Sequence, residues 1–462
     1  MRKRGVWLGL AVGLILGLTI SAVPARSGSS DVEKLVDEFV KPLAWLVLQV
    51  ENYYVEPVDR HDLLVGAYQG ILGTLDRYSV YWPPEMVKEF EADLEGEFGG
   101  LGIQISFDAV KKVIRVEQPI AGTPAFRQGV LPGDLIIKVK EDATGQEVKT
   151  EEFKTVHDAV KVLRGEVGTK VTITVIHEED GKKQDITVTR EVITVPGVRA
   201  VDMVDAKDQI GYIYIPYFSK PMVKDLRAAM DDLQDKGARG VVLDLRLNPG
   251  GLLKAAEDCA DLFLKGGQIV RVKGRTGPEE VHTARKTAPF DEVPLVVLVD
   301  RFSASGAEIV AAALRDNGRA ALVGEATFGK ASVQTLIDNP QDGSAVKLTI
   351  ARYYTPNGEL IEGKGVQPDV IVELSDDDTR QLARQLSRKT EYPPPLPGAR
   401  PRTSEEAEKP AEQQPEKPFE DVQLAKAVEV MREMLSGRTP AQIAAAHKAP
   451  SEPKAEPAAA AN

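Results

Sequence analysis

Cysteine is almost missing: Cys259 is the single one in 462 residues. That excludes an intrachain disulfide and any multi-cysteine zinc site. An oxidising compartment stays open to the chain, because a lone buried cysteine behaves there as a small hydrophobe. Histidine is scarce too, with five residues at positions 61, 157, 177, 282 and 447. None of them falls at His-x-Glu, His-Glu-x-x-His or His-x-x-x-His spacing, so the ligand pattern of a metal hydrolase is missing and neither metal nor cofactor is expected. There is no excess of positive charge: 58 Lys and Arg stand against 70 Asp and Glu, a formal charge of −12. Such a field repels phosphate backbones and argues against nucleic acid as a partner. Long apolar runs are absent except at the N-terminus. There Met1-Arg-Lys-Arg4 precedes an uncharged stretch from Gly5 to Ala25 that ends in Val23-Pro-Ala25. A basic start, an apolar middle and small residues before a cut after Ala25 read as a secretory signal. An uncleaved membrane anchor is the alternative, since the run is near the ~20 residues that span a bilayer. Both readings export the chain, to a periplasmic or other extracytoplasmic compartment.

What is present is a soluble globular balance, 42% apolar and 28% charged residues, over a length that suggests several domains. From Asp31 to about Phe90, apolar residues recur at helical spacing, as in Val32, Leu35, Val36, Phe39, Val40 and Leu43, with Pro42 dividing the helix. From about Glu97 to Thr194 the texture is β-rich, with Lys112-Val-Ile-Arg-Val116 and Leu135-Ile-Ile-Lys-Val139 among its segments. From Ile210 strands and helices alternate, which is α/β layering. Beyond about Glu391 the chain is rich in Pro, Glu and Ala; twelve of the thirty prolines lie there. That composition predicts a largely disordered tail without a packed core, apart from a short amphipathic helix over Phe419 to Leu435.

Several segments suggest chemistry. Gly99-Gly-Leu-Gly-Ile103 is a glycine-rich turn entering a strand, where converging N–H groups make a nest for a peptide carboxylate. Downstream, Thr155 to Arg164 reads as an amphipathic helix able to wall a groove beside that strand. With Gly129-Val-Leu-Pro-Gly-Asp134, the span resembles a PDZ domain. Val241-Val-Leu-Asp-Leu-Arg-Leu-Asn-Pro-Gly-Gly-Leu252 is a buried strand entering a glycine turn whose N–H groups suit a phosphate or an oxyanion, although Asn248 capping a plain turn explains it equally well. In Phe302-Ser-Ala-Ser-Gly-Ala-Glu308, Ser303 or Ser305 stands at a helix N-terminus, either as a cap or as a nucleophile facing the helix dipole.

A nucleophile needs a base, and no histidine lies nearby. Gly324-Glu-Ala-Thr-Phe-Gly-Lys330 fits the phosphate loop, but Ala331 stands where that loop needs Ser or Thr, and Ser332-Val-Gln-Thr-Leu336 reads as a strand rather than a helix. The same segment offers Lys330 as a base. An unperturbed lysine spends about 4 to 5 kcal/mol to be neutral at pH 7. Burial among Ala321, Leu322, Val323, Phe328 and Val333 lowers that cost, and Gln334 is spaced to orient the amine.

The order of these motifs, over roughly residues 31 to 375, resembles that of the carboxyl-terminal processing peptidases, also called tail-specific proteases. The resemblance implies Ser305 as nucleophile, Lys330 as general base and Gln334 as its orienting partner. It implies an oxyanion hole from Gly306 and the Gly250-Gly251 turn, and amides of Leu101, Gly102 and Ile103 that bind a carboxylate. Arg164 is a weaker candidate for coupling the PDZ domain to the core, and a solvated helix-end cation is the favoured reading. The implied fold is an α/β layered protease core with an inserted mostly-β PDZ domain and an N-terminal helical arm. Its expected divisions are a signal over 1–25, a helical and dimerising arm over 26–96, the PDZ domain over 97–192, the core over 193–378 and the tail over 379–462. The implied partners are substrate C-termini, an activating adaptor, a second copy of the chain and, through an uncleaved N-terminus, a membrane. The rivals are a catalytically silent PDZ scaffold that binds secreted partners and a phosphate-loop hydrolase.

Overall fold

The computed structural model describes residues 29–108, 111–120, 122–178, 181–388 and 419–447. The signal expected over 1–25 and the proline-rich segment 389–418 lie outside the described residues. The core is built on one sheet whose strands run Ala200–Asp205, Ile210–Tyr214, Gly240–Asp244, Leu295–Val299, Ala320–Gly324 and Val370–Ile371 in spatial order. The first pair is antiparallel and the rest are parallel. Four of these strands are buried at every position, as parallel strands covered on both faces must be.

Alternation then assigns the faces. Ile213, Leu243, Val297 and Leu322 meet the helices Met222–Asp235, Leu253–Asp261 and Gly306–Asp316. Tyr212, Val242, Val296 and Ala321 face the other way, onto Leu382 and Leu386 and onto Ala427, Val430, Met431 and Ile443. The amphipathic helix expected over Phe419 to Leu435 is present, and the expectation of a tail otherwise without a packed core is corrected for the residues around Leu382, Leu386 and Ile443. The helices Asp376–Arg388, Val422–Leu435 and Pro440–His447 supply the second covering layer. Asp421 caps Val422–Leu435 by accepting from the Leu424 N–H at 2.9 Å. The same carboxylate pairs at 2.8 Å with fully buried Arg246, which also pairs with Asp244 at 2.6 Å. A buried guanidinium left without one of these carboxylates is costly, so the pair fixes where the tail docks.

A second, antiparallel sheet joins Val80–Trp82, Ala345–Tyr354, Gln268–Gly274 and Glu280–Thr283, with Ser332–Asp338 on the long strand. Val80–Trp82 departs from the all-helical reading of residues 31 to 90. An Asp76 carboxylate that accepts from the N–H groups of Tyr78 and Ser79, at 2.7 and 2.8 Å, turns the chain after the helix Arg60–Gly73 and lets this β-branched and aromatic triplet add to the sheet edge. Upstream, a π-helical turn over Val36–Val40 separates Ser29–Leu35 from Lys41–Tyr53, just before Pro42, whose missing N–H breaks the regular ladder.

The inserted β-rich domain, where a PDZ domain is expected, joins the core through a two-stranded stalk, Glu97–Gly100 against Glu191–Thr194. Its sheet runs Ile103–Asp108, Val113–Pro119, Leu135–Glu141, Lys170–Ile176 and Lys183–Thr189 in that order, around a core of its own. The helix Val156–Leu163 lies beside the first of these strands.

Met431 is fully buried between the tail helix and the sheet. Met431→Ala is expected to lower stability by about 2–5 kcal/mol in urea unfolding. A change below about 0.5 kcal/mol is what a surface substitution gives, and it would mean that this helix does not cover the sheet.

Candidate active site

The strand Leu295–Val299 ends in a tight turn, and the helix Gly306–Asp316 starts immediately after Ser305. Ser305 has φ 53° and ψ −109°, a backbone conformation that only surrounding structure can hold in a non-glycine residue. Ser303 is fully buried; its Oγ donates to the Leu245 carbonyl at 2.8 Å and accepts from the Asp300 N–H at 2.9 Å. Ser303 thus ties two strand ends together, and Ser305 is the serine that reaches the cavity.

The glycine turn lies directly against Ser305. A Cβ on Gly250, whose φ is 104°, would stand 2.8 Å from the Ser305 Cβ and 2.9 Å from the Gly306 nitrogen, so no side chain fits there. Asn248 holds the turn from below: its Nδ2 donates to the Ile215 carbonyl at 2.8 Å, and its backbone carbonyl accepts from Ala304 at 2.9 Å. Its Oδ1 accepts from the Gly250 N–H at 2.8 Å, which occupies that donor. Among the described residues the N–H groups of Gly251 and Gly306 have no acceptor.

Glu308 joins the serine segment to the lysine segment. Its fully buried carboxylate accepts from the N–H of Ser305 at 2.8 Å, Gly329 at 2.7 Å and Lys330 at 2.9 Å, and from the Thr327 hydroxyl at 2.6 Å. Burial raises its pKa and these four donors oppose the rise. The buried Tyr353 hydroxyl completes the joint, donating to the Lys330 carbonyl and lying 3.2 Å from the Ser305 carbonyl. Sequence reasoning assigned neither residue a role. For Glu308 the signal was available, because Ser305-x-x-Glu308 has the spacing in which a glutamate returns to the N–H at a helix start.

Lys330 follows this loop, and the chain then enters the strand Ser332–Asp338, so no helix N-terminus is present to hold phosphate. Its side chain is mostly buried, with Nζ 5.0 Å from the Tyr78 ring centroid. Burial, then the Lys347 ammonium, lowers its pKa to about 8. Ser305, Gly306, Gly251, Lys330 and Gln334 line one cavity of about 200 Å³, with Phe90, Tyr217, Leu253, Ile309 and Val333 forming its apolar wall. Gln334 gives its Nε2 to the Ser332 Oγ at 2.8 Å. Among the described residues no hydrogen bond joins Lys330 Nζ to Ser305 or to Gln334. The expected groups are gathered, and their mutual hydrogen bonds are open in this state.

Leu101, Gly102 and Ile103 stand apart from that cavity, at the start of the PDZ sheet. Gly102 has φ 75°, and a Cβ there would meet the Thr123 side chain at 2.2 Å. Its carbonyl accepts from the Ile120 N–H at 2.8 Å and from the Thr123 hydroxyl at 2.9 Å, while the N–H groups of Leu101 and Gly102 have no acceptor among the described residues. Arg164, expected to be a solvated cation, instead lies 4.0 Å over the Phe98 ring and 3.3 Å from Asp93, linking the PDZ helix end to the helix Pro84–Glu95.

Residues 209–372 match the model of peptidase family S41. The carboxy-terminal-processing protease of Bartonella bacilliformis is 37% identical over 367 residues, covering 78% of this chain and 81% of that protein. The carboxy-terminal processing protease CtpA of Bacillus subtilis is 40% identical over 354 residues, covering 76% of this chain and 71% of that protein. Among solved structures, the photosystem II D1 C-terminal processing protease aligns with TM-score 0.42 and 29% identity, covering 71% of this chain and 87% of that one.

Glu308→Gln keeps the shape but turns an amide NH2 toward groups that are themselves donors. It is expected to cut kcat by about 100-fold or more, and to cost about 1–3 kcal/mol of stability. Steady-state kinetics beside urea unfolding checks this; activity within twofold of the parent would mean that the carboxylate does not align the two segments.

Proposed function

Since the chain belongs to the carboxy-terminal processing proteases of peptidase family S41, and is a serine peptidase, we propose that it is an exported endopeptidase that cuts protein tails through an acyl-enzyme on Ser305. The observation that supports this most is Ser305, held at positive φ against two acceptor-free N–H groups, in one cavity with a buried lysine.

In the first half-reaction the neutral Lys330 amine takes the Ser305 hydroxyl proton as Oγ bonds to the scissile carbonyl carbon. The resulting oxyanion accepts from the Gly306 and Gly251 N–H groups, donors that need no reorganisation when charge develops. Gly250 serves by its lack of a side chain, which lets the turn approach Ser305. Collapse breaks the carbon–nitrogen bond, and the leaving amine receives the proton from the Lys330 ammonium. Water then gives a proton to Lys330, attacks the ester and releases the shortened chain, while the proton returns to Ser305. Gln334 orients the amine once its Oε1 turns toward Nζ. Before that, the tail's terminal carboxylate is held by the amides of Leu101, Gly102 and Ile103, in the groove beside Val156–Leu163.

Residues 1–25 are the export signal in this reading, with activity outside the cytoplasm. The exposed apolar residues Phe39, Trp45 and Leu46 of the arm suit a second copy of the chain. An activating adaptor is a further partner, and a membrane is one if the leader is retained. No metal or nucleotide enters the reaction.

Ser305→Ala and Lys330→Ala are each expected to abolish cleavage of an unstructured, apolar-ended tail while leaving the fold intact. Near-normal activity in Lys330→Ala would overturn the dyad. In the parent protein kcat/KM is expected to rise with pH through a limb near 8, because the amine must lose its proton. Only roughly a tenth of it is neutral at pH 7. A profile flat from pH 6 to 9 would show that no group of that kind acts in the step.

A further inference from the structure

A second lysine shares the catalytic cavity. Lys347 lies on the strand Ala345–Tyr354, paired with Val80 on one side and Leu336 on the other, and its side chain is largely buried. Its Nζ stands 4.8 Å from the centroid of the Trp82 ring and lines the same cavity as Ser305 and Lys330. Among the described residues it makes no ion pair with a carboxylate. Burial lowers the Lys347 pKa, while the Trp82 face favours the ammonium without neutralising it, and that charge acts on its neighbours.

The charged groups around Lys330 come from every element packed against it: Lys347 from the long strand, Arg77 from the segment before Val80–Trp82, Glu308 from the helix and Glu362 from the loop after Tyr354. The two carboxylates are engaged with other partners. Glu308 accepts its four donors, and Glu362 accepts from the Ala331 N–H at 2.9 Å and pairs with Arg352 at 3.3 Å. The two cations rest on rings, Arg77 at 4.8 Å from Tyr78 and 5.1 Å from Phe328. The Tyr78 face, which by itself favours the charged amine, is shared between Arg77 and Lys330. Burial lowers the Lys330 pKa most and the Lys347 ammonium next, while Glu308 and Glu362 oppose the shift and Arg77 adds a smaller lowering. Lys347 is thus the leading charged group that favours the proton-free amine, a known way of keeping a buried lysine deprotonated.

We propose that Lys347 is a positioning residue for the reaction, acting through Lys330: its ammonium, seated on Trp82 in the catalytic cavity, holds the Lys330 amine in the proton-free form that can take the Ser305 proton. This rests on the reading of Lys330 as the general base, and the test separates the two.

The experiment uses the full chain and reads Lys330 in two independent ways. In a Ser305→Ala background, trace labelling with acetic anhydride and peptide mass spectrometry gives the pH midpoint at which the Lys330 amine becomes reactive. In the active protein, kcat/KM against pH gives the acidic limb. Lys347→Gln and Lys347→Met are both compared, with thermal unfolding confirming that each folds; Lys347→Arg keeps the charge. Both midpoints are expected to rise by about one pH unit in the neutral variants, and kcat/KM at pH 7 to fall about tenfold. Lys347→Arg should restore most of each.

A labelling midpoint that stays in place overturns the role of Lys347 and leaves the dyad standing. A labelling midpoint that moves beside an unmoved kinetic limb overturns Lys330 as the base, and the proposal with it. A raised KM with both midpoints unmoved would make Lys347 a substrate contact instead, which also overturns it.

Discussion

The arrangement of Ser305 and Lys330 depends on one buried carboxylate. Glu308 lies one helical turn after Ser305 and binds the serine's own N–H and three donors from the Thr327–Lys330 loop. Charge-assisted bonds of this kind are short and directional, and each donor that lost its partner would be a buried unsatisfied group. The strained backbone at Ser305 and the entry of Lys330 into its pocket are thus fixed by the same two oxygens. Thr327 extends the joint, because its hydroxyl also accepts from the Val366 N–H at 2.7 Å. Burial raises the Glu308 pKa, yet four donors converging on it make an anion the better partner there.

Around that joint the fold supplies two supports. From below, Asn248 fastens the glycine turn to the strand end at Ile215 and to Ala304 in the turn before the helix Gly306–Asp316, so the acceptor-free N–H of Gly251 keeps its place beside Gly306. From the far face of the sheet, the tail helices cover what would otherwise be exposed valine and tyrosine, and Asp421 meets Arg246 two residues before Asn248. A segment remote in sequence therefore buttresses the strand end that leads to the glycine turn. Tyr78, Trp82 and Phe90 come from the N-terminal arm, so the cavity is completed by residues from both sides of the PDZ insertion.

Much of this was legible in the sequence, for physical reasons. The short, β-branched apolar runs Val241 to Leu243 and Leu295 to Val299 read as strands buried on both faces, and the small residues after Asp300 leave room for a close turn. Ser305, Lys330, Gln334, Gly306 and Gly251 do share one cavity. The amphipathic stretch over Phe419 to Leu435 was legible in the tail, but the helices Asp376–Arg388 and Pro440–His447 and the packing of all three on the sheet were not. The better signal was a debt of burial: three helices between Met222 and Asp316 cover one face of the sheet, and the second face had to find its cover elsewhere. The open hydrogen bonds of Gln334 and the occupied N–H of Gly250 could not be read from motif positions, since they depend on which side-chain oxygen lies nearest. Lys347 was missed because a cation on a strand looks solvated until the packing around it is known, whereas Glu308 was missed although its spacing from Ser305 signals a capping box.

The central claim is that Ser305 becomes covalently acylated with Lys330 as its base, and the most direct measurement is to catch that ester. The protein is mixed with a tail peptide, quenched in acid within milliseconds to seconds, digested, and mapped by mass spectrometry. The account predicts the mass of the peptide's N-terminal portion on the fragment containing Ser305, lost in Lys330→Ala. An unmodified Ser305 fragment at every quench time, while the peptide is being cleaved, would contradict it.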